Sequence, residues 1–270
     1  MREVVRLSLL MSLLLHVCQR LNGFTLDGSP GCYVRFPKWY HAFENTLSFE
    51  FVTGKPNGLL LYTDDGGGSN FFEISLVSGR LQLLFSLGKQ QSGATIAEQH
   101  PVQVATIDSL SLNDRKWHRV NLYQFWERVQ LQLDDLSVYK SVEHNEFVFG
   151  SYDLNSDVFI GGVPQSSSPD SLSYPAVKLM VHFEGSIRNL MYRTLPNGMT
   201  VPAMLDSVGV RQTDIDYCVE HICLNHGVCY STDDGARCNC EETDFEGERC
   251  ETGTFCMIYG IQINSVDLHK

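Results

Sequence analysis

Thr46-Leu47-Ser48-Phe49-Glu50-Phe51 is the stretch that decides the fold, because large apolar side chains alternate strictly with polar ones. A period of two places the apolar set on one face of an extended strand and the polar set on the other, which a helical period cannot do. Val129-Gln130-Leu131-Gln132-Leu133 repeats the pattern, and similar spacing recurs from Thr46 to Tyr192 with Gly, Asn or Asp between the runs. Ser78-Gly79 and Asp134-Asp135 read as hairpin turns. So many short strands predict two packed sheets, since one open sheet of that width leaves an apolar face and two edges uncovered. The expected fold class is all-β, a sandwich or jelly roll.

Working outward, the 270 residues leave room for one large domain and one small one. Residues 1–23 have the layout of a secretory signal peptide: a weakly basic start, then the apolar run Leu7 to Val17, too short to cross a bilayer. No later stretch reaches spanning length. Asp and Glu outnumber Lys and Arg by 32 to 20, and the net charge of -12 argues against nucleic acid, anionic membranes and heparin-like partners. The local cluster Arg115, Lys116 and Arg119 reads as a solvated turn. Gln165 to Tyr174, rich in Ser, Pro and Asp, is expected to be an exposed loop tolerant of change. Gly66-Gly67-Gly68 lacks the Lys-Ser or Lys-Thr of a phosphate cradle and reads as a flexible hairpin loop.

No Gly-x-Ser-x-Gly turn, HExxH helix or phosphate loop is present, so nothing places a nucleophile beside a base and the chain is not expected to be an enzyme. His118 is expected to be structural. No Asn-x-Ser/Thr sequon occurs, so N-linked glycosylation is not expected.

The composition shifts near Thr213. Cys218, Cys223, Cys229, Cys238, Cys240 and Cys250 crowd into a stretch too short to bury a self-sufficient core, so disulfides are expected to hold it. Counting alone leaves about fifteen pairings open. The spacing C-x4-C-x5-C-x8-C-x-C-x9-C, with Asn225-His226-Gly227-Val228-Cys229 and Phe245-Glu246-Gly247-Glu248-Arg249-Cys250, resembles an epidermal-growth-factor-like (EGF-like) module. That resemblance implies Cys218 with Cys229, Cys223 with Cys238, and Cys240 with Cys250. Asp214 and Asp216 begin the pattern of a calcium-binding module, but Tyr217 replaces the expected acid, and solvated carboxylates are the favoured reading.

In the large domain, Trp117-His118-Arg119-Val120, Val158-Phe159-Ile160-Gly161-Gly162-Val163-Pro164 and Phe183-Glu184-Gly185-Ser186-Ile187-Arg188-Asn189-Leu190 resemble the signatures of laminin G domains. With Arg35-Phe36-Pro37-Lys38-Trp39 before them and the cysteine module after, the chain resembles the amino-terminal part of the α-neurexin family. The resemblance implies a laminin G-like jelly-roll β-sandwich over residues 24–213, an EGF-like module over 214–251 and an unassigned tail over 252–270. Trp117 and Val120 are expected to anchor a central strand, and Gly185 to mark a kink or bulge.

The resemblance further implies an extracellular adhesion receptor, presynaptic in its full-length form, that binds protein partners across the synaptic cleft. Carbohydrate binding, or a secreted matrix protein with the same modules, is the alternative. A fragment, a truncated gene prediction and a secreted isoform all stay open for the chain. The resemblance also points to a weak calcium ion, with ligands at Asn70, Leu87, Met180 and His182 and further oxygens from Asp64 and Asp65; a neutral Asn ligand in place of a carboxylate implies low affinity. Cys32 and Cys256 are left over as candidates for unpaired thiols, with Cys256 expected to be unpaired.

Overall fold

A computed structural model describes residues 23–88, 102–108, 111–142, 149–196, 198–211, 223–232, 235–241 and 243–253. The sandwich strands are β1 (Gly23–Asp27), β2 (Tyr33–Phe36), β3 (Glu44–Val52), β4 (Gly58–Asp64), β5 (Phe71–Val77), β6 (Arg80–Ser86) and β7 (Gln103–Thr106). They continue with β8 (His118–Phe125), β9 (Arg128–Leu133), β10 (Leu136–Ser141), β11 (Val158–Ile160), β12 (Glu184–Tyr192), β13 (Asp206–Val208) and β14 (Val210–Arg211). Among the described residues they form two seven-stranded antiparallel sheets, ordered β10-β9-β8-β3-β12-β1-β14 and β13-β2-β11-β4-β5-β6-β7. The only helical pieces described are 3₁₀ turns at Pro169–Ser171 and Pro175–Leu179.

The alternation read from β3 becomes the seam between the sheets. Leu47, Phe49 and Phe51 face Phe72, Ile74, Leu83 and Phe85 in one buried cluster, and each such side chain contributes about 1.5–3 kcal/mol on burial. Ser78-Gly79 turns β5 into β6 with both residues at positive φ, the geometry that suits the twist of a two-residue hairpin. At one end of the seam His41 stacks on Phe149 at 3.8 Å and meets the Trp39 ring, tilted, at 4.3 Å. Both ring nitrogens of His41 are buried without a partner among the described residues, and burial pulls its pKa down to about 3.

The outer faces of the sheets differ. On the β8-β3-β12 side the face is polar, and Glu50 sits between Arg119 (2.7 Å) and Arg188 (2.7 Å), with Arg188 lying 4.0 Å over the Trp117 ring. On the other sheet every residue of β4 is buried. A second apolar cluster of Leu59, Tyr62, Phe71, Phe159, Leu172 and Val177 covers that outer face, so the Leu59-Leu60-Leu61-Tyr62 run needs no alternation.

Four sequence expectations are corrected here. The second half of Gln165 to Tyr174 is not a tolerant loop: Leu172 is buried, and Tyr174 stacks on Phe71 at 4.6 Å. Gly66 and Gly67 serve close approach, because a Cβ on either would fall 2.2 Å from the Leu154 carbonyl or 2.6 Å from that of Asp170. Trp117 precedes β8 and packs on the outer face under Arg188, leaving Val120 as the buried anchor. Gly185 pairs in regular register with Leu26, and the irregularity of β12 lies between Arg188 and Met191.

Beyond the sandwich, β15 (Val228–Thr232) pairs with β16 (Gly235–Asn239), and β17 (Phe245–Glu246) with β18 (Thr252–Gly253). Among the described residues of this region only Cys250 is a buried hydrophobic side chain.

Candidate functional site

The candidate site grows from the end of β4, where the chain must leave a doubly buried strand and return in β5. Asp64 is completely buried there. Its carboxylate accepts the Tyr62 hydroxyl at 2.7 Å, the Gly66 N–H at 2.9 Å and the Ser173 N–H at 3.0 Å. Burial outweighs these donors and raises the Asp64 pKa above the usual carboxylate range. The Tyr62 hydroxyl in turn accepts the Tyr174 N–H at 3.1 Å. One carboxylate thus ties the β4–β5 loop to the segment that crosses the outer face of the sheet.

Asp65 makes the neighbouring tie. Its Oδ1 accepts the Ser173 hydroxyl at 2.5 Å and its Oδ2 accepts the Asn70 amide at 3.0 Å. Asn70 also donates to the Gly88 carbonyl at 2.8 Å, while its own Oδ1 is buried without a hydrogen-bond partner. Asn70 precedes β5 and Leu87 follows β6, and the register Phe71↔Ser86 makes them cross-strand neighbours.

The other two proposed calcium positions belong elsewhere in the fold. Met180 ends the second 3₁₀ turn and packs on the outer-face cluster. His182 bridges to Leu59, near the opposite end of β4 from Asp64, about 17 Å away by strand rise. Its Nε2 already accepts the Gly31 N–H at 3.1 Å, and burial lowers its pKa, which keeps the ring neutral. As a four-ligand set these residues do not fit one calcium ion: the rim offers the Asn70 Oδ1 and the Asp65 carboxylate, and His182 is remote and engaged. Among the described residues no three His, Cys, Asp or Glu side chains form a metal-holding group.

Ser173 and Tyr62 are site residues that sequence reading missed. The signal available was Asp64-Asp65 before a glycine run, which marks a loop needing local acceptors, but its partner lies more than a hundred positions away.

In the module, Cys223 is bonded to Cys238 and Cys240 to Cys250. Cys229 is disulfide-bonded, while Cys218 and Cys256 lie outside the described residues. Cys32 is a free, fully buried thiol whose pKa burial raises to about 11. Of the basic cluster, Arg119 pairs with Glu50 and Lys116 with Asp114. His118 is clamped between Asp114 (3.1 Å) and Asp134 (2.8 Å), which pins the start of β8 to the β9–β10 turn.

The profile of the laminin G domain family matches residues 51–194. The chain is 35% identical to Neurexin 1 of Drosophila melanogaster over 93% of its own length and 14% of that protein's. It is 32% identical to Neurexin-3a of Danio rerio over 92% of the chain and 13% of the relative, and 33% identical to human Neurexin-2 over 86% and 13%. The chain therefore spans about one-seventh of the length of these relatives. Among solved structures, the LG1-3 region of the laminin alpha2 chain aligns with a TM-score of 0.55 at 17% identity, covering 72% of this chain and 34% of that one. Domains LG4-5 of the mouse laminin alpha1 chain align at 0.54 and 15%, covering 71% and 46%.

Proposed function

The chain belongs to the laminin G domain family, and from that premise we propose that it is the recognition end of a neurexin-like adhesion receptor, binding protein partners at the cell surface across a synaptic cleft. The observation that carries the reading is the order of parts: a laminin G sandwich followed by a disulfide-held module, in a chain similar to neurexins along nearly its whole length. Disulfides suit an oxidising, extracellular setting, and among the described residues no helix is long and apolar enough to cross a membrane. The proposed domain limits are those of the sequence reading, with sandwich pairing reaching Arg211 in β14.

Binding, not chemistry, is the proposed activity. Asp64, Glu73 and His41 owe their shifted pKa values first to burial inside the fold. Calcium enters the proposal only as a weak rim ligand of the Asn70 Oδ1 and the Asp65 carboxylate, in the millimolar range of about 10⁻⁴–10⁻³ M known for extracellular modules.

The test is saturable binding of the secreted, oxidised chain to the surface of cultured neurons, with and without about 1 mM calcium. Binding that disappears when the neurons are treated with protease supports the proposal. Binding removed only by glycosidases favours the carbohydrate alternative, and no binding overturns both.

A further inference from the structure

The polar outer face of the first sheet does not simply meet solvent. Where the cysteine module leans over it, a groove of about 480 Å³ remains open between them, within the range of about 300–1,000 Å³ typical of small-ligand sites. Its floor is three cross-strand rows. Tyr123 lies beside Thr46; Asn121, Ser48 and Met191 form the middle row; Arg119, Glu50 and Arg188 form the third. The wall comes from the module, through Asn239, Glu241 and Phe245.

The charge arrangement selects the ligand. The Glu50 carboxylate is held by both guanidiniums, so the third row presents no unbalanced acid. The middle row is uncharged. Glu241 and Glu246 on the wall disfavour an anion, and the field of Glu241, after burial, helps raise the Tyr123 pKa. What faces the groove is a set of amides and hydroxyls with the wall carboxylates of Glu241 and Glu246, beside two aromatic rings. The floor strands β8, β3 and β12 are each paired on both sides, so no free backbone edge invites a peptide to add a strand. Met191 is the one aliphatic side chain on the floor, too little for the apolar anchors a protein partner needs.

We propose that this groove binds a neutral oligosaccharide, its hydroxyls read by Ser48, Asn121, Asn239 and Glu241 and its apolar ring faces laid against Tyr123 and Phe245. Short amides and hydroxyls exchange hydrogen bonds with sugar hydroxyls at little cost, and aromatic faces supply the apolar contact. The inference rests on reading the chain as a recognition module and adds a second ligand class to it.

The experiment is saturation-transfer NMR of the full secreted chain with lactose, maltotriose and diacetylchitobiose, with sialyllactose as an anionic arm and a lysine-rich peptide as a protein-like arm. At least one neutral sugar is expected to bind, roughly tenfold more weakly after Asn121→Ala or Glu241→Gln, with unchanged melting and no response to EDTA or Asn70→Ala. Asn121 and Glu241 sit on separate modules, so misfolding of one variant leaves the other informative. Absence of neutral-sugar binding, binding that survives both substitutions, or tighter binding of sialyllactose or the peptide overturns the inference. If wild-type protein still binds neurons in a protease-sensitive way, that failure is the groove's alone.

Discussion

The sandwich and the cysteine module solve the same problem with opposite means. The sandwich buries more than thirty side chains in one cluster, most of them Phe, Leu, Ile and Val, and the one cysteine among them, Cys32, forms no disulfide. The module hides one hydrophobic side chain among its described residues, and that residue, Cys250, is itself half of a disulfide. A long chain can offset its conformational entropy by burying area; a short one has too little interior and relies on cross-links instead. The two regions should therefore fail under different insults.

The largest expected effect breaks the sandwich alone. Phe49→Ala removes a fully buried ring from the seam, and a destabilisation of about 3–5 kcal/mol is expected. Chemical denaturation followed by tryptophan fluorescence measures it, while the disulfides of the module stay formed. Next is the converse: replacing Cys240 and Cys250 together with Ser should cost the module about 2–4 kcal/mol and leave the sandwich transition where it was. A shared loss in both regions would show that the groove between them couples their folding.

A smaller effect separates the regions by pH. His41 stays neutral in the folded sandwich, with its pKa lowered to about 3 from 6.5. Between those values the unfolded chain takes up a proton that the folded chain refuses, so stability falls as pH drops below 6.5 and recovers as it rises. About 2 kcal/mol should be lost between neutral pH and pH 5, and His41→Phe should remove that part of the slope. Asp64 and Glu73, whose raised pKa values act in the opposite sense at lower pH, are common to both proteins, so the difference isolates His41.

The contrast also explains what was legible in the sequence. Alternation showed β3 and β9 because each has one polar face, and the turn at Ser78-Gly79 was visible because positive φ narrows the choice of residue. The segment from Leu172 to Tyr174 was hidden by its company of Ser, Pro and Asp; composition reports average exposure, whereas burial there depends on Phe71 and Tyr62 far away. The glycines at 66–68 signalled freedom, but the fold uses their lack of a side chain. The ion set of Glu50 joins residues 69 and 138 positions away, a pairing that no local pattern encodes. The calcium positions were matched by order along the chain, and order does not say that His182 lies at the far end of β4.

Hydrogen-exchange mass spectrometry with and without a disulfide reductant tests the division of labour most directly. Protection of β3, β8 and β12 should be unchanged by reduction, while the β15–β16 amides lose theirs. Loss of protection in the sandwich strands, or full protection of the reduced module, would contradict the account.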